Sequence, residues 1–212
     1  MKRTIPRMVI LLCVVGFLAS AATVCAEQPI ASPDASAGDT KGSIDWPSPD
    51  GKFAFLTAVG EDLRTVDLID QKSQKKLQRI GEEDSSQTYW HVLWAPDSIR
   101  FALMTRSGHP IQGVDVYFRT AETFQKVDLP DLPEANIPER LKHGKKFPHV
   151  ANLNWQEAKE WKKDGSLVVT IDTMIDGEGR SITATRTVVL GFDQAGKARI
   201  VKSTIKYKTE MD

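Results

Sequence analysis

Apolar and polar residues alternate with period two along much of this chain. Phe53 and Phe55 are interleaved with Ala54 and Leu56, Val66 and Leu68 flank Asp67, and Val114, Val116 and Phe118 are interleaved with Asp115 and Tyr117. Nearer the C-terminus Leu167, Val169 and Ile171 alternate with Thr170 and Asp172. Ala184, Val188, Leu190 and Phe192 follow, then Val201, Ser203, Ile205 and Tyr207 against Lys202, Thr204 and Lys206. Such alternation predicts strands with one face more buried than the other. No long helical stripe interrupts it, so the predicted class is all-β.

The turns agree with that class. Asp176-Gly177-Glu178-Gly179 and Asp193-Gln194-Ala195-Gly196 each join two alternating runs with residues that tolerate the positive φ of a hairpin. They predict a three-stranded antiparallel meander over roughly 167–175, 182–192 and 197–207.

One local phrase occurs three times. It is Trp46-Pro47-Ser48-Pro49-Asp50-Gly51-Lys52-Phe53, then Trp94-Ala95-Pro96-Asp97-Ser98-Ile99-Arg100-Phe101, then Trp161-Lys162-Lys163-Asp164-Gly165-Ser166-Leu167. Each is an aromatic, a tight turn centred on Asp-Gly or Asp-Ser, and an apolar strand. Proline presets φ, aspartate bonds the backbone ahead of it, and glycine takes the positive-φ position. The phrase resembles the Trp-Ser-Pro-Asp-Gly-Lys signature of the bacterial TolB-type β-propeller repeat, where it joins the innermost strand of a four-stranded blade to the second. Val66-Asp67-Leu68-Ile69-Asp70-Gln71-Lys72-Ser73 and Val116-Tyr117-Phe118-Arg119-Thr120-Ala121 look like that family's third strand and turn. The first copy carries an extra residue after Trp46, the second has Ser98 for glycine, and the third lacks proline. The resemblance covers most of residues 44–207 and implies antiparallel four-stranded blades; because the family's functions vary, it implies shape more than activity. A β-sandwich of the same strands is the alternative fold.

Asp50 and Asp97 are 47 residues apart and Asp97 and Asp164 are 67 apart, against roughly 40–45 for a blade in related propellers. The longer interval holds a Pro-rich insert, Leu129 to Val150, with a short helix expected at Pro138–His143. Three copies fall short of the roughly 4 to 8 blades that close a ring. The expectation is a partial, open propeller whose exposed face is covered by the insert, or whose arc closes by self-association or against a partner.

Upstream of the strands, Lys2, Arg3 and Arg7 precede an apolar stretch that runs into Ala19-Ser20-Ala21-Ala22. This order is a secretory signal, with cleavage placed after Ala26. An uncleaved membrane anchor and a lipoprotein site at Cys25 are the ranked alternatives. Residues 27–43, rich in Ala, Ser, Pro, Gly and Asp, read as a flexible leader, with the folded part expected from Ile44 to Asp212. Export to a bacterial periplasm or the cell exterior follows. So does a change in the charge balance: the chain has 28 basic and 28 acidic side chains, and loss of residues 1–26 removes three basic and no acidic ones. The net −3 that remains argues against nucleic acid as a partner. Both cysteines, Cys13 and Cys25, leave with the signal, so disulfides and thiolate chemistry leave with them.

Candidate chemistry is sparse. His91, His109, His143 and His149 form no metal-ligand spacing, no Ser sits in a Gly-x-Ser-x-Gly elbow and no Gly-rich phosphate loop occurs. The acidic turn Asp172, Asp176, Glu178 lacks the ligand series of a calcium loop. No catalytic residue, metal or cofactor is therefore expected. Lys197, Arg199, Lys202, Lys206 and Lys208 decorate the last strand and read as protection against edge-to-edge pairing. The residues selected for binding are Trp90, His91, Trp94, His109, Trp155 and Trp161, as a groove for a protein or peptide, with core packing between blades as the competing role of the tryptophans. The expectation is a non-catalytic binding or scaffold module; a hydrolase-type enzyme or accessory with its site on the insert and the His109 loop comes second, and a self-associating envelope protein third.

Overall fold

The computed structural model describes residues 41–60, 62–84, 88–107, 112–121, 123–177 and 179–211. They form three four-stranded antiparallel sheets, each a simple meander in chain order. The first sheet comprises β1 (Lys41–Asp45), β2 (Phe53–Val59), β3 (Arg64–Asp70) and β4 (Lys76–Glu83). The second comprises β5 (Thr88–Trp94), β6 (Arg100–Ser107), β7 (Gln112–Thr120) and β8 (Thr123–Lys126). The third comprises β9 (His149–Trp161), β10 (Leu167–Gly177), β11 (Arg180–Phe192) and β12 (Ala198–Met211). The fold is all-β with blade-like, propeller-like sheets, as the alternation and the repeated turn predict. β1 takes in Lys41–Ser43, three residues that the composition assigns to the leader; residues 1–40, where the signal and the rest of the leader are expected, lie outside the described residues.

Two apolar layers hold the blades face to face. Between the first and second sheets lie Phe53, Phe55, Val66, Leu68, Val92, Phe101, Leu103, Tyr117 and Phe124. The adjacent residues Ala102, Met104, Val114 and Val116 point the other way and meet Trp161, Leu167, Val169, Ile171, Ala184, Val188 and Leu190 of the third sheet. The middle sheet is thus apolar on both faces, the pattern of a buried layer.

The repeated turns are built as the sequence implies. The Asp50 carboxylate accepts the Lys52 N–H and Asp97 accepts that of Ile99, while Asp164 accepts Ser166 and Asp193 accepts both Ala195 and Lys197. The extra residue of the first copy is absorbed at Trp46, whose φ of 49° is left-handed. Ser98 takes the position that glycine holds in the other two copies, at φ 58°.

The insert begins where β8 stops short. Leu129, Leu132 and Ile137 pack onto the core between the second and third sheets, together with the fully buried Ala135. It therefore covers that part of the long third blade which the short β8 leaves bare. Its helix α1 spans Glu139–Lys142, flanked by Pro138 and His143. Two contacts secure it. Asn154, at φ 48° in a bulge of β9, accepts the Ala135 N–H at 2.9 Å. Beside Gly177 a Cβ would lie 2.4 Å from the Lys146 carbonyl oxygen, so only glycine lets the chain cross there.

Candidate functional site

The tryptophans chosen from the sequence divide between packing and surface. Trp94 stacks on Phe53 and meets Phe55, Phe101 and Phe124 at ring-centroid distances of 5.1–6.3 Å. Its indole N–H donates to the Trp46 carbonyl at 2.8 Å. Trp161 is buried in the second layer, and its indole N–H donates to the Leu93 carbonyl at 3.0 Å. Each of these indoles reaches back to the inner-strand end of the preceding blade, which makes it a tie between blades. Trp90 is half-buried against the first layer, close to Gly81. His91 is exposed and lies edge-on to Trp46 at 6.0 Å. Trp155 is half-buried under the Arg106 guanidinium, 5.1 Å from its ring centroid. His109 lies outside the described residues. These side chains are spread over both interfaces and the inner strands, and none of the five described ones lines any of the three cavities considered below.

Polar contacts reinforce the ties. The Asp50 N–H donates to the Ser98 hydroxyl, joining the first turn to the second. Arg100 is held by Asp97, donates to the Gly165 carbonyl at 2.9 Å, and lies over the rings of Phe118 and Trp161. It joins the second turn to the third. Farther out, Gln78 and the Phe124 backbone exchange two hydrogen bonds, and Gln156 accepts two from the β7 end, one on its carbonyl from the Gln112 side chain and one on its side chain from the Val114 N–H.

The largest of the three cavities, about 490 Å³, lies at the rim between the second and third blades. Phe118, Val127, Leu129 and Pro130 give it an apolar wall; Thr120, Gln125, Lys126 and Lys197 give it polar groups. Its far side is the β11–β12 turn, where Gly196 (φ 79°) sits against the Phe118 ring. A second cavity of about 290 Å³ shares Lys126 to Pro130 and is lined beyond them by Asp115, Asp131 and Gln156. Lys126 is paired to Asp115 at 2.9 Å. The segment 127–130 thus stands between two hollows: Val127 still donates to the Val116 carbonyl, and the chain then leaves the ladder. Sequence reasoning missed this cleft because its lining comes from a strand end, the insert and a distant turn, none with a motif of its own.

Among the described residues no helix is long and apolar enough to cross a membrane, and no group of three or more His, Cys, Asp and Glu is placed to hold a metal ion. Burial and the neighbouring Asp115 push the Tyr117 hydroxyl up to about 12.

No family model and no curated protein matches the chain. A chain from a structural and mechanistic study of two prolyl endopeptidases is similar over 81% of this chain and 27% of its own length, at 13% identity and a TM-score of 0.30. That distance carries no argument about activity.

Proposed function

We propose that this is an exported, non-catalytic binding module of the TolB-like blade type, which takes an extended peptide segment of a partner protein into the rim cleft between its second and third blades. The observation that carries this reading is the cleft itself. Its volume of about 490 Å³ lies within the roughly 300–1,000 Å³ of ordinary ligand sites. Apolar side chains with a few polar ones at the margin suit a chain that presents alternate side chains and a hydrogen-bonding backbone. The walls belong to two blades tied by Trp161, Arg100 and Gln156, so the cleft is held open before any ligand arrives, which lowers the cost of binding. The basic residues at the N-terminus and the small-residue exit support export.

The test is selection of short random peptides on the immobilised protein, repeated with Ala195→Arg. Ala195 is exposed on the turn that forms the far wall, so the longer side chain obstructs the cleft without entering the core. The expected result is a set of enriched peptides whose affinity falls about tenfold or more in the variant. No enrichment, or enrichment indifferent to the variant, overturns the reading.

A further inference from the structure

We infer that the outward face of the third blade carries an anion site, for a phosphate group either free or on a small phosphorylated molecule. A cavity of about 400 Å³ there is lined by Lys162, Asp164, Ser166, Val189, Gly191, Phe192, Arg199, Val201 and Lys202. It is separate from the rim cleft and does not depend on the function proposed for it.

The decisive feature is a bulge. Arg199 and Lys202 are three residues apart, so in a regular strand they point to opposite faces. Here Arg199 pairs with Gly191, and Lys202 pairs with Val189, across a register shift between Val189 and Leu190. The shift resets the alternation and brings both cations to one cavity. Bulges commonly re-aim a side chain in this way. The structure accepts costs for it: Val201, in the shifted stretch, is 60% exposed, and at Gly191 a Cβ would come within 2.6 Å of the Val201 side chain. Gatekeeping lysines need no such device, because regular alternation already serves an edge.

The charges are also left unused. Lys76, Lys126, Lys159 and Lys208 each pair with a carboxylate. Among the described residues Arg199 and Lys202 have no such partner. The carboxylate that lines the cavity, Asp164, is turned to Ser166, accepting its hydroxyl at 2.7 Å and its N–H at 3.0 Å. Those bonds hold Asp164 below the usual carboxylate range, so it stays charged and occupied. Lys162, Arg199 and Lys202 against Asp164 leave an excess of two positive charges, which matches a phosphate monoester dianion. At about 30 Å³ per water the space takes roughly a dozen non-hydrogen atoms, the scale of a small phosphorylated molecule. Guanidinium and ammonium groups are the donors that such oxygens select.

The experiment is titration of the isotope-labelled protein with inorganic phosphate and with ribose 5-phosphate, at constant ionic strength kept with chloride, reading backbone amide shifts. Saturable shifts centred on Ser166, Gly191 and Arg199 are expected, with affinity reduced about tenfold or more in Arg199→Ala/Lys202→Ala. Both replaced side chains are exposed, and an unchanged spectrum elsewhere in the variant shows that the fold is kept. Tighter binding of ribose 5-phosphate assigns the site to a phosphorylated small molecule, and equal binding assigns it to the free ion. Shifts that do not saturate, or that the double variant retains, overturn the site.

Discussion

Ser98 occupies a left-handed position, φ 58°, that glycine fills more cheaply, and the reason is its hydroxyl. That oxygen accepts the Asp50 N–H of the preceding turn from a site only 2% exposed. Ser98→Ala keeps the strained φ and loses the acceptor, so it is expected to lower unfolding free energy by about 1–2 kcal/mol. Ser98→Gly exchanges the bond for relief of strain and is expected to stay within about 1 kcal/mol of the parent. Urea denaturation with unchanged slope checks both. The turn itself was legible in the sequence as an Asp-Ser bend, but the bond between turns was not, because its two residues lie 48 positions apart. Protonation acts at this scale as well. Tyr117 is raised from 10.0 to about 12 by burial and by Asp115, so its contribution is complete below pH 10 and is lost as pH rises toward and through 12. At the acid end, the backbone and hydroxyl of Ser73 lower Asp70, and Ser166 lowers Asp164. Their contribution is present above the ordinary carboxyl range and is lost as pH falls through it. A pH titration of the thermal midpoint is expected to fall at both ends, with the alkaline fall moved in Tyr117→Phe.

Among the elements, strands with one covered face announced themselves through period two, and the meander of the third blade lies where its two Asp-Gly turns place it. The insert was legible only as a Pro-rich interruption. Leu129, Leu132, Ala135 and Ile137 lie in no regular strand or helix, since they are fixed by the core they meet between the second and third sheets. The bulges at Asn154 and near Val201 escaped for the opposite reason: they break a period that the neighbouring residues keep. Asn154 is what secures the insert, by its left-handed φ and its bond to the Ala135 N–H. Asn154→Ala is expected to cost about 1–3 kcal/mol by leaving a buried donor unpaired. Faster hydrogen exchange at Ala135 than in β6 would accompany it, and equal protection of the two in the variant would contradict the role given to Asn154.

For the whole molecule, the outward faces of the first and third sheets mix polar rows with apolar positions such as Ile44, Leu56 and Ile69. Across the outward side of the third sheet the register sets Thr170, Thr187 and Thr204 in one row and Asp172, Thr185 and Lys206 in the next. On the first sheet Asp67 points away from the second and is held by Lys76 and Arg79. Of the six residues chosen for binding, Trp94 and Trp161 each tie one blade to the blade before it. The sequence showed the recurring indole and left both of its roles open, because the acceptor belongs to the previous blade. Indole N–H exchange measured by NMR tests this arrangement most directly. Trp94 and Trp161 are expected to exchange together, at the rate of the slowest strand amides, while Trp46, which packs against exposed His91 and whose indole N–H has no acceptor among the described residues, exchanges faster. Exchange of Trp94 and Trp161 as fast as that of Trp46 would contradict a stack of three interlocked blades.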